Sequence, residues 1–216
     1  MTKIYLSPSS QWGNPYSYGN YNEAQVCGLI ATHAEAALKR NGYEVKLGDN
    51  VNKDMVARTT ESNKWGADYH VPIHTNAGGG EGTVVFCYSG SKNDKYVNVV
   101  YEALAAVSPG KDRNVRVNDG LYEINMANGV TIYTETEFHD NANLAKWIVD
   151  HVEEIGEAIA KGFCKADGKA YIGKAAPTGD KMYYVQTGAF RNREYAENQL
   201  KAVKAAGFKD AYIKTA

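Results

Sequence analysis

Strand-like and helix-like patterns alternate through the first 166 residues of this 216-residue chain, and this alternation constrains the fold more than any other feature. A buried strand is predicted at 3–7 and a helix at 22–42, which ends at an Asn-Gly stop signal. Further strands are predicted at 43–47, 67–77, 82–89 and 130–138, and further helices at 51–66, 94–108 and 141–164. Such alternation is typical of α/β proteins, in which helices cover both faces of a mostly parallel, twisted sheet.

The composition changes at residues 167–180, where Gly, Ala, Pro and Lys occur without a hydrophobic period, and a linker is predicted there. It separates a domain at 1–166 from a C-terminal unit at 181–216. That unit is predicted to be a small βαβ module with strands at 182–190 and 210–214. Because folds below about 40 residues usually need outside help, we expect the tail to pair with a second copy or with the preceding domain.

Composition and charge exclude several classes of partner. A net charge of −1, without a basic stripe or a reading motif, argues against a nucleic-acid partner. The three Cys form no CxxC pair, so neither a disulfide framework nor a Cys zinc site is expected. No apolar run could span a bilayer, and the N-terminus lacks a signal-peptide core, so no membrane partner is expected. We expect synthesis in the cytoplasm, with lysis or a helper pore releasing the protein for any work outside the cell.

The densest chemical signal is "HVPIHTNAGGGEG" at 70–82. On a strand, His70 and His74 share one face, while Val71 and Ile73 point into the apolar layer. His74 comes at the end of the strand, beside a Gly-rich loop that lets a ligand approach the backbone. A histidine in this position serves either as a hydrogen-bonded core residue or as a metal ligand.

Acidic residues supply two further signals. In "TIYTETEFHDN" at 131–141, Glu135, Glu137 and His139 are predicted to alternate on one strand face; an exposed edge strand is the alternative. Glu23 opens the first predicted helix, where the helix dipole alone favours an acidic residue. Together with the strand-end His, these carboxylates match a hydrolytic zinc centre, which needs protein ligands, an open position for water and a carboxylate that moves the proton.

Three segments, "NYNEAQ", "ADYHVPIHTNA" and "YTETEFHDN", resemble the zinc-dependent N-acetylmuramoyl-L-alanine amidases of the type-3 class, and the resemblance covers residues 3–164. It implies that His74 and Glu23 are zinc ligands and that Glu135 is the general base. It also implies a peptidoglycan hydrolase, a phage endolysin or an autolysin, that cleaves the amide bond between N-acetylmuramic acid and L-alanine. Its partner is then peptidoglycan, through both stem peptide and glycan strand.

The opening loop departs from the family pattern. Where most members have a Gly-His-Gly type sequence, this chain has "SPSSQW", with Ser10 at the His position and Gln11 beside it, as in clostridial-type amidases. The third zinc ligand could be the Gln11 amide oxygen, His139 or an extra water, and Gln11 is favoured. Two other functions compete: a catalytically degenerate wall-binding protein, and a zinc carboxypeptidase-like peptidase.

The C-terminal unit resembles one repeat of a SPOR module, in "VQTGAF" and "AAGF". The resemblance implies binding to glycan strands of peptidoglycan. Because such modules normally contain two repeats, two explanations stay open: the chain is a fragment, or two chains form a homodimer that completes the module.

Overall fold

The computed structural model describes residues 1–111, 114–175 and 186–215, which divide into the compact units Met1–Lys174 and Ala175–Ala216. Within the described residues, the first unit has a seven-stranded sheet. Its strands are β1 (Lys3–Pro8), β2 (Glu44–Leu47), β3 (Tyr69–Asn76), β4 (Val84–Cys87), β5 (Val115–Val117), β6 (Val130–Thr131) and β7 (Tyr133–Phe138). Their order is β2-β1-β3-β7-β4-β5, and β6 pairs with β3. Of these strand pairs, only β4 and β7 run antiparallel, so the predicted α/β class with a mostly parallel sheet is confirmed.

Helices cover both faces of the sheet. They are α1 (Glu23–Arg40), α2 (Met55–Trp65), α3 (Lys95–Ala105), α4 (Tyr122–Met126), α5 (Ala142–Asp150) and α6 (Val152–Ala166). Helices α1, α3 and α6 pack together over the apolar face, to which β1 contributes Ile4 and Leu6. Helices α2 and α4 cover the opposite face, which carries polar side chains such as Tyr5 and Ser7. The sheet therefore separates an apolar core from a buried polar layer.

The prediction of a single helix at 141–164 is wrong, because α5 and α6 are separate helices. Between them, His151 leaves the helical region with φ −120° and ψ 20°. Its ring Nδ1 donates to the Trp147 carbonyl at 2.7 Å and its imidazole stacks on the Trp147 ring. This side chain competes with the backbone for a helical carbonyl, which favours a break.

The first unit continues past the predicted boundary at 166. The Ile172 backbone N–H donates to Asn41 Oδ1 at 2.7 Å, and the Ile172 carbonyl accepts from Arg40 Nε at 2.9 Å. Residues 167–174, predicted as the start of the linker, are therefore attached to the C-terminal end of α1.

In the second unit, the described residues form α7 (Arg193–Ala205), as the helical pattern predicts. The βαβ prediction is wrong over the described residues, because 186–190 and 210–214 form no strands; 182–185 lie outside the described residues. A strand needs a neighbour to accept its backbone hydrogen bonds, and the described part of this unit offers none. No helix among the described residues of the chain is long and apolar enough to cross a bilayer.

Candidate active site

His74 and Glu23 contact each other at the carboxyl end of the parallel strands. β3 carries His74 near its end, and α1 begins at Glu23 behind a capping box formed by Asn22 and Gln25. The His74 Nδ1 atom lies 2.8 Å from Glu23 Oε1, and both side chains are buried. The fold thus brings together two of the residues that the sequence singles out.

The opening loop places a pair of amides beside this contact. Gln11 Nε2 lies 3.5 Å from His74 Nδ1, while Gln11 Oε1 accepts a hydrogen bond from Asn14 Nδ2 at 2.6 Å. Asn14 Nδ2 also donates to Glu23 Oε2 at 2.9 Å. Asn14 therefore links Gln11 to Glu23. The sequence gives no signal for this role, since a neutral amide in a polar loop does not stand out.

Glu135 lies beside His74 on the same face, because the two residues are paired in the parallel register of β3 and β7. Glu135 Oε2 and His74 Nε2 are both buried, and neither makes a hydrogen bond with the described residues. Burial raises the pKa of Glu135 to about 7; the nearby His74 opposes this rise and Glu23 adds to it. Buried polar atoms without partners and a carboxyl with a raised pKa are typical of functional sites.

A β-bulge in β7 changes the prediction for the residues after Glu135. His74 pairs with Glu135 and Asn76 pairs with Phe138, so β7 has one more residue than β3 in this interval. Within the bulge, Glu137 adopts the left-handed backbone region with φ 57°. The prediction that Glu135, Glu137 and His139 share one face is therefore wrong. The alternative of an exposed edge strand is also wrong, because β7 lies between β3 and β4.

Beyond the bulge, His139 points to the opposite face from His74. Its Nδ1 lies 2.9 Å from Thr75 Oγ1, and its ring stacks on Tyr16 with centroids 5.0 Å apart. Successive residues of a strand point to opposite faces, so a partner of Thr75 lies across the sheet from His74. The structure does not bring His139 to the His74–Glu23 pair.

Glu137 holds two loops together outside the site. Its carboxylate accepts hydrogen bonds from the backbone N–H of Gly82 at 2.8 Å, from that of Gly110 at 2.7 Å and from the Ser108 hydroxyl. A side chain at position 110 would meet the Gly82 nitrogen, because an added Cβ would lie 2.5 Å from it. Glu137 therefore anchors the Gly-rich loop.

A buried polar network below His74 is the main feature that sequence reasoning missed. Glu123, on α4, accepts from Ser7 Oγ at 2.5 Å and lies 3.1 Å from His70 Nε2. Arg58, on α2, is fully buried and donates from Nε to Ser7 Oγ at 2.9 Å. Neither Glu123 nor Arg58 belongs to a motif, and α4 has only five residues, so no sequence pattern indicates their contact.

The described residues contain no group of three His, Cys, Asp or Glu side chains that could hold a metal ion. The His74–Glu23 pair offers an imidazole nitrogen and a carboxylate, and the Gln11 amide faces the same ring nitrogen. A rotation of the Gln11 amide group by half a turn would bring its oxygen, in place of its nitrogen, to face His74 Nδ1. An imidazole nitrogen, a carboxylate oxygen and an amide oxygen form a donor set that fits zinc, and the two unpartnered atoms lie beside it.

The raised pKa of Glu135 predicts a pH effect on the stability of the metal-free protein. The pKa is about 7 in the folded chain and 4.5 ordinarily, so the folded state binds this proton more tightly. The contribution of this protonation to the free energy of unfolding is present in full below pH 4.5 and is lost as the pH rises through about 7. Over this range, we expect wild type to lose on the order of 2 kcal/mol relative to Glu135→Gln in urea denaturation with a chelator. A difference between the two proteins that stays constant with pH would contradict the assigned environment.

Comparison with known proteins follows the division into two units. Residues 9–165 match the family described as N-acetylmuramoyl-L-alanine amidase, and residues 167–216 match the SPOR domain. N-acetylmuramoyl-L-alanine amidase CwlM of Bacillus licheniformis is 30% identical over 220 aligned residues, which cover 99% of this chain and 85% of that protein. The sporulation-specific N-acetylmuramoyl-L-alanine amidase of Bacillus subtilis (strain 168) is 25% identical, with 96% of this chain and 83% of that protein covered.

Solved structures give the same fold. The catalytic domain of CwlV, an N-acetylmuramoyl-L-alanine amidase from Bacillus (Paenibacillus) polymyxa var. colistinus, superposes with a TM-score of 0.70 at 20% identity, covering 79% of this chain and 100% of that one. N-acetylmuramoyl-L-alanine amidase AmiC2 of Nostoc punctiforme gives a TM-score of 0.66 at 19% identity, covering 78% and 98%. At these identities the likeness establishes the fold alone.

Proposed function

Because the chain belongs to the N-acetylmuramoyl-L-alanine amidase family, we propose that it cleaves the amide bond between N-acetylmuramic acid and L-alanine with Glu135 as its general base. It is a peptidoglycan amidase, and its SPOR domain implies binding to the same polymer. One observation supports the catalytic assignment: Glu135, with a buried and unpartnered Oε2, is paired in register with His74, which contacts Glu23.

The family is generally zinc-dependent, and His74 Nδ1, a Glu23 carboxylate oxygen and the Gln11 amide are the groups that would hold the metal. Bound zinc supplies a Lewis acid that activates water and polarises the amide carbonyl. In the metal-free arrangement Asn14 donates to both Gln11 and Glu23, and the half-turn that presents the Gln11 oxygen to a metal would exchange the contact with Gln11 while leaving the one with Glu23. Gln11 is neutral, so it cancels less of the metal's charge than a carboxylate would.

Glu135 moves the proton in this proposal. Its Oε2 takes a proton from the attacking water and later delivers it to the nitrogen of the leaving L-alanine. In the metal-free chain, burial raises the pKa of this carboxyl above its ordinary value, and a pKa moved toward the working pH suits a group that must both accept and return a proton.

Purified peptidoglycan provides the direct test. We expect the full chain to release glycan free of peptide and to create new L-alanine amino termini, since the amide bond to the lactyl group is broken. Removal of metal with a chelator should abolish the release, and added zinc should restore it. Release that survives metal removal would contradict the zinc mechanism. Wall binding without release would favour a degenerate binding protein, and cleavage confined to the stem peptide would favour a peptidase.

We also infer that the second unit, Ala175–Ala216, pairs with a second copy of the chain. Helix α7 has no buried residue, and Phe190, Tyr195 and Phe208 are 45%, 61% and 68% exposed. Apolar side chains left this open stabilise an assembly when a partner covers them. Sedimentation of the full chain should give a dimer that Tyr195→Ser weakens and that Leu29→Ser, a similar exposed change on α1, leaves intact. A monomer at every concentration would contradict this pairing.

A further inference from the structure

The two nitrogens of the His74 imidazole have different surroundings. Its Nδ1 faces Glu23 Oε1 at 2.8 Å, whereas its Nε2 is buried without a hydrogen bond. Glu123 Oε2 lies 4.0 Å from this Nε2. That separation is about an ångström longer than a hydrogen bond, so a small rotation of the ring or one bridging water completes the contact. A buried nitrogen without a partner is costly, which makes the adjacent carboxylate its natural acceptor.

Contacts other than His74 hold the Glu123 side chain in position. Its Oε1 accepts from Ser7 Oγ at 2.5 Å and lies 3.1 Å from His70 Nε2. The other His70 nitrogen, Nδ1, lies 3.0 Å from Ser62 Oγ. These contacts hold the Glu123 carboxylate by its Oε1 atom and leave Oε2 facing His74 Nε2.

We propose that Glu123 is a positioning residue for His74, holding a proton on Nε2 so that Nδ1 is the nitrogen that binds the metal. This inference rests on the proposed function for the identity of the bound group. A metal-binding histidine commonly donates its other ring N–H to a carboxylate, and this partner fixes the ring and raises its affinity for the metal. Among the described residues, Glu123 is the carboxylate that lies within 4.0 Å of that nitrogen.

Glu123→Gln tests the proposal, because it keeps the shape of the side chain and removes its charge. Glu61→Gln is the matched control: Glu61 accepts from Tyr5 at 2.8 Å in the same polar layer, and Tyr5 stacks on His70. We expect Glu123→Gln to weaken zinc binding about 10–100-fold in competition with a chromophoric chelator. We expect Glu61→Gln to keep the wild-type affinity.

A second readout does not require zinc. In metal-free protein labelled with ¹⁵N-histidine, wild type and Glu61→Gln should show the His74 Nε2–H resonance, assigned by its loss in His74→Gln. In Glu123→Gln, this resonance should shift or disappear through exchange with water. Thermal unfolding of each variant gives the folded fraction, so that affinity is compared per folded molecule.

The outcomes separate the two proposals. If Glu123→Gln unfolds at a lower temperature yet keeps the zinc affinity and the Nε2–H resonance of wild type, Glu123 only supports the fold and the inference is overturned. If wild type itself binds no zinc, the proposed function fails instead. In that case, the Nε2–H resonance of the metal-free proteins alone decides whether Glu123 positions His74.

Discussion

The Glu135→Gln variant is expected to hydrolyse peptidoglycan about 10²–10⁴-fold more slowly than wild type while it binds zinc with the same stoichiometry. Glutamine has nearly the shape of glutamate, but it cannot take a proton from water and return it to the leaving nitrogen. Measuring kcat from the release of L-alanine amino termini, together with elemental analysis of the purified protein, checks both parts of the expectation.

Glu137→Gln is the matched control for this result, because it makes the same change two residues along the same strand. Glu137 accepts hydrogen bonds from two backbone N–H groups and a hydroxyl, away from His74. We expect Glu137→Gln to unfold at a lower temperature and to keep its kcat per folded molecule. A Glu135→Gln variant that retained the wild-type kcat would remove Glu135 from the mechanism.

The second large effect is expected for His74→Ala, which should lose bound zinc and fall in activity by roughly 10³-fold or more. The loss follows because metal ions contribute several kcal/mol to such reactions, and each 1.36 kcal/mol corresponds to a factor of ten. Elemental analysis and the amino-terminal release assay on the same preparation measure the two losses together.

His139→Ala and Gln11→Ala complete this series and decide the third ligand. His139 is as buried as His74, but it contacts Thr75 and Tyr16 on the other face of the sheet. We therefore expect His139→Ala to lose stability and keep its zinc, and Gln11→Ala to bind zinc more weakly than wild type. Loss of zinc in His139→Ala with retention in Gln11→Ala would reverse this assignment.

Periodic patterns made most of the fold predictable. Most strands and helices of ordinary length in the first unit have a clear apolar period, and the alternation of the two leaves few topologies other than a mostly parallel sheet. Helix α2 is an exception, because the residues that it buries are the polar Arg58, Thr59 and Ser62. Two elements were too short to give a pattern: the three residues of β5 and the five residues of α4. The break at His151 was missed because it depends on a side-chain contact with Trp147.

The contact of His74 with Glu23, and Glu135 beside it, could be predicted from the sequence. Parallel strands end at the same edge of the sheet, so residues at the strand ends and in the segments that follow them meet there. What could not be derived depends on pairing between distant segments. The bulge that separates Glu135 from His139 exists only relative to the register of β3. The contact of Arg58 and Glu123 with Ser7 joins three elements that no local pattern connects.

Because β7 has one extra residue, the face to which each of its side chains points depends on the bulge as well as on the position along the strand. Up to Glu135, odd-numbered residues point to the face that carries His74; beyond the bulge, odd-numbered His139 points to the other face. If β7 kept its present length but paired regularly with β3, Glu137 would take the place of Phe138 opposite Asn76, and the later side chains would turn over together. That strand would lose the Glu137 anchor and bring a second imidazole to the His74 face, whereas deletion of Glu137 would leave Phe138 opposite Asn76 and His139 on its present face. In this strand, the bulge thus decides which side chains face His74.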